Sequence, residues 1–227
     1  MVFTSWRGVV GLIKPTHRPG SLEEFIRLTP EGLGVVPMFL SIERGTVDEF
    51  TQAIQAYDGP VAELARLGVD IIHPEGGPPF MLQGFEGERR ITDSWEAQHG
   101  VPVVTSGQVQ VEALRALGAK KIVGATYTSG ETNKAIATYF REAGLDMLAF
   151  EPMSVAFNEA QHISHHQVYA HAKRAYLANE SADAILLFGS GWRSLDAIQL
   201  LEQDLGVPVV HAVTARVWSI EKRMHIR

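Results

Sequence analysis

Four loops of the sequence combine glycine or proline with hydroxyl, carboxyl or guanidinium side chains. They span residues 14–18, 73–79, 126–130 and 189–193, and each follows a short apolar run. Backbone N–H groups and hydroxyls in such loops bind carboxylates and stabilise oxyanions, above all where a helix begins. None of the four loops contains Gly-x-Gly-x-x-Gly or a Walker-type lysine, so the sequence predicts no nucleotide cofactor.

Glu75 is the candidate for acid-base chemistry. It lies in the stretch HPEGGPP, among prolines and glycines and with few other polar groups. Burial in such a loop would raise the pKa of the carboxyl group toward the working range of a general base. An exposed loop carboxylate is the alternative interpretation.

Ser190 follows an apolar strand in the stretch LLFGSGW and precedes a helical pattern. Three roles are open to it: a nucleophile, an oxyanion or ligand donor together with its neighbouring N–H groups, or a helix cap. The residue two places earlier is Phe188, so the segment differs from the Gly-x-Ser-x-Gly nucleophile elbow. The donor role is therefore favoured over the nucleophile.

Three larger side chains are candidates for the wall of a site. Arg18, in a loop flanked by prolines, could hold a carboxylate through its planar guanidinium, although a surface arginine explains the pattern almost as well. Trp192 and Phe80 would form apolar walls or else pack in the core.

One helical stretch and the residues just before it contain several histidines: His162, His165, His166 and His171. They lack the carboxylate partners of zinc hydrolases, so no metal site is predicted.

The composition is typical of a globular protein and argues against several kinds of binding partner and catalytic chemistry. The chain has 227 residues, of which 45% are hydrophobic and 20% charged, with a net charge of −6. This acidic balance, without clusters of Lys and Arg, argues against nucleic acid and membrane surfaces as partners. No signal pattern and no apolar run of about 18 residues is present, so we expect a cytoplasmic location. The chain has no cysteine, which excludes disulfides and thiol nucleophiles.

Short apolar runs alternate with helical patterns along the chain, which predicts an α/β protein with parallel strands and helices on both faces. The predicted strands span residues 8–14, 34–41, 69–73, 101–104, 121–126, 147–151, 183–188 and 207–210. The predicted helices span residues 47–67, 86–98, 108–117, 131–143, 164–179, 194–204 and 213–223.

A weak internal repeat indicates two similar lobes. The segments HGVPVVTSGQVQVEALRALG (99–118) and LGVPVVHAVTARVWSIEKR (205–223) share a helix-ending glycine, the strand Val-Pro-Val-Val and a further helix. Each follows a strand that ends in a glycine-rich turn, so the two turns would face each other across a cleft. A common loop-and-strand arrangement is the alternative explanation. We predict one lobe from residues 1–106 with 212–227 and another from residues 107–211.

Two long stretches carry a family resemblance: GQVQVEALRALGAKKIVGATYTSGETNKAIATYF and SADAILLFGSGWRSLDAIQLLEQDLGVPVVHAVTARVW. They resemble the aspartate/glutamate racemase superfamily, and more closely its maleate isomerase and arylmalonate decarboxylase branch. The resemblance covers roughly residues 8–220. It implies two pseudo-symmetric flavodoxin-like lobes with parallel sheets and a site in the cleft between them.

The resemblance also implies where the family's cysteines would fall. Family members use one cysteine in each lobe as acid and base beside a substrate carboxylate, and the decarboxylases keep only the second. The corresponding positions here are about Gly76 and Gly189, so both thiols are absent. A family tyrosine that binds the oxyanion falls at Thr128, whereas this sequence has Tyr127 one place earlier.

The implied function is that of a cofactor-independent catabolic enzyme. It would act on a small mono- or dicarboxylate by decarboxylation or a related lyase step through an oxyanion or enediolate, without cysteine-dependent racemisation. A hydrolase that uses water activated by Glu75, or Ser190 as nucleophile, is one alternative, and a non-catalytic carboxylate-binding protein is another. A homo-oligomer is one expectation for its assembly. The predicted catalytic residues are Glu75, Tyr127 and Ser190, and the predicted substrate-binding residues are Thr16, Arg18, Gly76, Gly77, Thr128, Gly189, Gly191 and Trp192.

Overall fold

The computed structural model describes residues 4–226, and within them seven strands form two parallel sheets. The first sheet has the order β2-β1-β3, and the second has the order β5-β4-β6-β7. The strands are β1 (Gly8–Lys14), β2 (Leu33–Phe39), β3 (Ile71–Pro74), β4 (Lys121–Thr126), β5 (Asp146–Pro152), β6 (Ala184–Phe188) and β7 (Val209–His211). The carboxyl ends of β1, β3, β4 and β6 carry the four loops in which the sequence predicts chemistry.

Ten α-helices flank the two sheets within the same residues. They are α1 (Gly20–Leu28), α2 (Val47–Ala56), α3 (Asp58–Arg66), α4 (Gly77–Met81), α5 (Phe85–His99), α6 (Ser106–Ala116), α7 (Gly130–Glu142), α8 (His165–Leu177), α9 (Leu195–Leu205) and α10 (Ala212–Arg223). A 3-10 helix spans Phe157–His162. The α/β fold class predicted from the sequence is confirmed. None of these helices within residues 4–226 is both long enough and apolar enough to cross a membrane.

Three element predictions were wrong. The single helix expected over residues 47–67 is two helices that meet at Tyr57, because Pro60 lacks an N–H group and is tolerated only in the first turn of α3. Helices α1 and α4 were not expected. The strand expected at residues 101–104 is reduced to a single parallel bridge between Ile72 and Val103.

The internal repeat corresponds to a repeated local geometry. Helices α5 and α9 both end on a left-handed glycine, Gly100 with φ 68° and Gly206 with φ 67°. The carboxylates of Glu96 and Glu202, four residues earlier, each accept a hydrogen bond from the N–H of the second valine in Val-Pro-Val-Val, at 2.7 and 2.9 Å. The similarity of the two segments is therefore structural as well as sequential.

The same correspondence aligns two glycine turns. Ile72 and Ile185 each donate their N–H to the proline carbonyl of a Val-Pro-Val-Val segment, at 2.8 and 2.9 Å. Counting forward from these residues makes Gly76 equivalent to Gly189, and their φ angles are +105° and +98°. We call residues 75–77 the β3 turn and residues 189–191 the β6 turn. The boundaries of the two lobes stay a prediction.

One apolar cluster connects the two sheets. Val10 and Leu12 of β1 belong to the same buried cluster as Leu186 and Phe188 of β6. Burial of such side chains stabilises the fold by roughly 1.5–3 kcal/mol for each large residue. The shared core holds the two turns in a fixed relation to each other.

Candidate functional site

A cavity lies where the loops after β1, β3, β4 and β6 meet. Its volume of about 40 Å³ leaves room for only a few water molecules, so a larger ligand requires one wall to move. The lining residues are Pro15, Thr16, Arg18, Ser21, Phe50, Glu75, Gly76, Gly77, Pro78, Pro79, Tyr127, Thr128, Phe157, Phe188, Gly189, Ser190 and Gly191. All the predicted catalytic and substrate-binding residues except Trp192 are among them, and Phe80, the other candidate for an apolar wall, is not.

The apolar walls differ from those expected. Trp192 is buried behind the cavity, where its ring packs edge-on against Tyr127 with centroids 5.2 Å apart. Phe80 packs in the core against Tyr57, with ring centroids 4.9 Å apart. The aromatic rings that line the cavity are those of Phe50, Phe157, Phe188 and Tyr127. Trp192 and Phe80 are both buried in the interior, so their position beside a glycine turn in the sequence did not predict that their side chains would line the cavity.

Glu75 connects the two turns at the base of the cavity. Its side chain is 1% exposed, and its Oε1 accepts a hydrogen bond of 2.6 Å from the Ser190 hydroxyl. Its Oε2 lies 3.4 Å from Arg216 Nη1 and 3.6 Å from Lys14 Nζ. The Tyr57 hydroxyl donates to the Glu75 backbone carbonyl at 2.7 Å, so both ends of the residue are fixed.

The pKa of Glu75 shifts in the direction opposite to the one expected. Burial by itself raises the pKa of this carboxyl group, but the Lys14 and Arg216 cations and the Ser190 hydroxyl outweigh burial and lower the pKa well below its usual range. Glu75 is therefore buried as predicted, yet it is ionised and a weak base. Arg216 follows Glu75 by 141 residues, so no local pattern could have indicated this partner.

Two buried cations flank this single carboxylate. Arg216 is fully buried on α10, and its Nε and Nη2 atoms have no hydrogen-bond partner within residues 4–226. Burial lowers the pKa of Lys14, while the Glu75 carboxylate opposes that effect, and Lys14 Nζ donates to the Ser21 hydroxyl. Because an arginine stays protonated in proteins, Arg216 balances Glu75. Lys14 adds positive charge that an anion in the cavity would stabilise.

Arg18 is the arginine that lines the cavity. Its Nη1 donates to the Phe157 carbonyl at 2.7 Å, and its guanidinium lies 4.4 Å from the centre of the Phe157 ring. Its Nε donates to Thr16 Oγ1 at 3.3 Å. These contacts join the loop after β1 to the 3-10 helix after β5, and they hold the Arg18 guanidinium in the lining of the cavity.

Tyr127 lies over the β6 turn. The N–H of Gly191 donates to its hydroxyl oxygen at 2.8 Å, and the ring is held between Trp192 and Phe157. Burial raises the pKa of Tyr127, and the nearby Arg18 guanidinium and Gly191 N–H offset this only in part. The phenol is therefore protonated at neutral pH.

The hydroxyl of Thr128 donates its proton to a hydrogen bond within the protein. Thr128 Oγ1 donates to Asn133 Oδ1 at 2.6 Å, and the Thr128 N–H donates to Thr126 Oγ1 at 3.0 Å. These bonds fix the loop after β4 at the point where α7 begins. Thr128 can still accept a hydrogen bond from a ligand, but its own proton is already used.

A buried network that the sequence did not reveal holds the β6 turn. His211 Nδ1 accepts from the Val213 N–H, so Nε2 carries the proton and donates to the Gly189 carbonyl at 3.2 Å. Burial lowers the pKa of His211, which keeps the ring neutral. Ser194 Oγ lies 3.0 Å from His211 Nδ1 and donates to the Glu24 carboxylate at 2.8 Å. The unexpected helix α1 supplies Glu24, so this network could not be assembled from the predicted elements.

Neither turn has room for a side chain at its first glycine. A Cβ atom on Gly76 would lie 2.9 Å from the Tyr57 hydroxyl and 3.1 Å from Pro15 Cγ. A Cβ atom on Gly189 would lie 2.6 Å from Tyr127 Cε1. Tyrosine and proline side chains thus fill the space at both positions where the family resemblance places cysteine.

Two parallel α/β sheets, with a cation-bordered cavity between equivalent glycine turns, define a protein of the aspartate/glutamate racemase superfamily. Within it, the chain belongs to the arylmalonate decarboxylase family, whose model matches residues 10–226. The resemblance recognised in the sequence is thereby confirmed. The fold and the sequence, however, leave the activity of a chain without cysteine to be proposed.

Most of the chain matches relatives of two kinds, some named decarboxylases and others named isomerases. It is 25% identical over 211 residues to arylmalonate decarboxylase from Bordetella bronchiseptica, covering 92% of this chain and 88% of the relative. It is 28% identical over 191 residues to maleate isomerase from Geobacillus stearothermophilus, covering 80% and 74%. The fold matches a variant of the maleate isomerase Iso from Pseudomonas putida S16 with maleate, at a TM-score of 0.83 and 20% identity over 96% and 92% of the chains.

Proposed function

We propose that the protein is a cofactor-independent enzyme that cleaves a small dicarboxylate, by decarboxylation or a related lyase step, through an enediolate. The observation that carries this proposal is a surplus of basic side chains: Lys14 and Arg216 contact Glu75, the one carboxylate within residues 4–226 that lines the cavity, and Arg18 lines the same cavity. An anionic substrate would balance that charge at low desolvation cost. The names of the relatives, a decarboxylase of arylmalonates and isomerases of maleate, support a dicarboxylate.

The two turns would hold the carboxylate that is retained in the product. Their backbone N–H groups would bind its oxygens and stabilise the negative charge that grows on them as the C–C bond breaks. Pro78 and Pro79 follow Gly77 and have no N–H, so the donors after β3 are those of the β3 turn itself. The lining rings of Phe50, Phe157 and Phe188 would accommodate a hydrocarbon substituent on the α-carbon.

Glu75 has a supporting role in this proposal. Because it is ionised, it cannot donate a proton, and its low pKa makes it a weak acceptor. Its carboxylate instead orients the Ser190 hydroxyl and keeps Lys14 and Arg216 beside the cavity. We therefore propose Glu75 as the residue that sets the electrostatics of the site.

One contact favours a second candidate, a serine hydrolase. The Ser190 hydroxyl donates to Glu75 Oε1 at 2.6 Å, and a carboxylate partner of this kind can accept a proton from an attacking serine. The low pKa of Glu75 makes it a poor base for that step, so this candidate ranks second.

A thermal-shift screen of malonates, arylmalonates, other dicarboxylates and their amides, followed by product analysis, tests the proposal. We expect dicarboxylates to raise the melting temperature, and at least one malonate to yield CO₂ and a monocarboxylate. Hydrolysis of an amide, with acyl transfer to Ser190, would instead identify the hydrolase. Stabilisation by dicarboxylates without any product would identify a binding protein, and the absence of any shift would contradict all three functions.

A further inference from the structure

We infer that Tyr127 is the proton donor of the proposed reaction, because its phenol fills the space that a cysteine side chain at Gly189 would occupy. A Cβ atom on Gly189 would lie 2.6 Å from Cε1, 2.8 Å from Cζ and 3.0 Å from Oη of Tyr127. A Cβ atom on Gly191 would lie 2.6 Å from the same Oη. The inference rests on the proposed decarboxylation and names the group that completes it.

The hydrogen bonds of Tyr127 leave its proton available. The Gly191 N–H, 2.8 Å from the phenol oxygen, can only donate to it, and the Arg18 guanidinium, whose charge acts on the phenol, carries donors and no acceptor. Within residues 4–226, the Tyr127 hydroxyl makes no hydrogen bond in which it is the donor. The same two donors would stabilise the phenolate that remains after proton transfer.

Three other polar side chains that line the cavity, Glu75, Ser190 and Thr128, are occupied or lack a proton, and the hydroxyls of Thr16 and Ser21 are alcohols, which are far weaker acids than a phenol. Glu75 is ionised by its two cations. The Ser190 hydroxyl donates to Glu75, and the Thr128 hydroxyl donates to Asn133. Tyr127 is thus the lining side chain best placed to release a proton into the cavity.

The equivalent position in the other half of the repeat cannot perform this step. A Cβ atom on Gly76 would lie 2.9 Å from the Tyr57 hydroxyl oxygen and 3.1 Å from Pro15 Cγ. The Tyr57 hydroxyl already donates its proton to the Glu75 carbonyl at 2.7 Å, and Tyr57 is not among the residues that line the cavity. Proline carries no exchangeable side-chain proton. The proton would therefore reach the substrate from the side of the β6 turn only.

The chemical step balances without a cofactor. Loss of CO₂ breaks the bond between the α-carbon and one carboxylate and leaves the electron pair on an enediolate. The α-carbon then takes the Tyr127 proton, which forms a C–H bond and leaves a phenolate beside Gly191 and Arg18. A water molecule returns a proton to the phenolate and releases hydroxide.

Tyr127→Phe is the main test, with Tyr169→Phe on α8 as the matched control. On a malonate that the wild type decarboxylates, we expect Tyr127→Phe to lower kcat by about 100-fold or more while KM changes by less than about threefold. Tyr169→Phe, whose hydroxyl donates to Asp204 on the surface, should keep the wild-type rate. The wild type should also exchange the α-hydrogens of the monocarboxylate product with D₂O, and Tyr127→Phe should not.

A second variant tests the inference even if Tyr127→Phe fails to fold. Fluorotyrosine at position 127, whose phenol is more acidic, should move the alkaline limb of the rate profile to lower pH. If Tyr127→Phe keeps its turnover and its hydrogen exchange, or if the alkaline limb of the rate profile does not move with fluorotyrosine, the inference about Tyr127 is overturned while the proposed function stands. If the wild type decarboxylates no dicarboxylate, the proposed function fails and this inference fails with it.

Discussion

The β3 and β6 turns have equivalent backbones and opposite chemistry. Gly76 and Gly189 both adopt positive φ angles, +105° and +98°, at the ends of equivalent strands. The residue before the first glycine is the ionised Glu75, and the residue before the second is the apolar Phe188. A Cβ atom on the first glycine would meet the Tyr57 hydroxyl and Pro15, and a Cβ atom on the second would meet the ring of Tyr127.

This difference suggests a division of tasks within a repeated fold. The β3 turn gathers charge, because Lys14 and Arg216 converge on Glu75. The β6 turn presents N–H groups, a serine hydroxyl and a protonated phenol. We interpret the first as the source of affinity for an anion and the second as the source of the proton.

The largest expected effect comes from removing the charge of the β3 turn. Glu75→Gln leaves Lys14 and Arg216 buried without a counter-ion, and breaking a buried pair costs about 3–5 kcal/mol. Chemical denaturation at pH 7 measures the loss. Glu63→Gln, which breaks an exposed ion pair with Arg66, should cost no more than about 1 kcal/mol. Equal stabilities for the two variants would show that the β3 turn has no special electrostatics.

Glu88 on α5 provides a buried carboxyl group for comparison with Glu75. Thr105 Oγ1 donates to its Oε1 at 2.6 Å, Tyr139 donates to its Oε2, and no ion pair with Lys or Arg is found within residues 4–226. Burial, only partly offset by these two hydroxyls, raises the pKa of Glu88 to about 7. The contrast with Glu75 follows from the cations, since both groups are fully buried.

The raised pKa of Glu88 makes stability depend on pH. The folded protein keeps this proton between the unfolded pKa of about 4.3 and the folded pKa of about 7, so the contribution is complete at low pH and is lost as pH rises through this window. The loss amounts to about 4 kcal/mol between these limits. Thermal melts of wild type and Glu88→Gln from pH 5 to 8 should differ in slope. Parallel curves would contradict this account of Glu88.

A smaller effect tests whether Tyr127 fills the β6 turn. Gly189→Ala and Gly206→Ala both place a side chain at positive φ, but only the first meets a neighbour, Tyr127 Cε1 at 2.6 Å. Gly206 has nothing within 4 Å of its Cβ position. We expect Gly189→Ala to cost about 1–3 kcal/mol more than Gly206→Ala, as measured by denaturation. Equal losses of stability in the two variants would show that the Tyr127 ring moves aside without a measurable free-energy cost.

Local features of the sequence predicted much of the fold. Strands β1 and β4 have the bounds expected from their apolar runs, and the Val-Pro-Val-Val repeat identified the two glycine turns. Pro60 was a visible signal for the break between α2 and α3 that the periodic pattern concealed. Pattern and turn chemistry are local, so they were sufficient for these elements.

The electrostatics of the site depend on residues distant in the sequence. Arg216 reaches Glu75 from the last helix, and Glu24 reaches Ser194 from a helix that was not predicted. The direction of the Glu75 pKa shift changes with those partners, because burial and nearby cations act in opposite directions. Composition and spacing contain no information about which effect is larger.

Calorimetric titration of the wild type with succinate, whose carboxylates are on separate carbons and cannot leave through an enediolate, and with its uncharged diamide tests the central claim most directly. If the cations around Glu75 form a site for a dicarboxylate, the dianion should bind at least about tenfold more tightly than the diamide, a difference of about 1.4 kcal/mol. The affinity for the dianion should also fall as salt is added. Equal affinities for the dianion and the diamide would contradict the account.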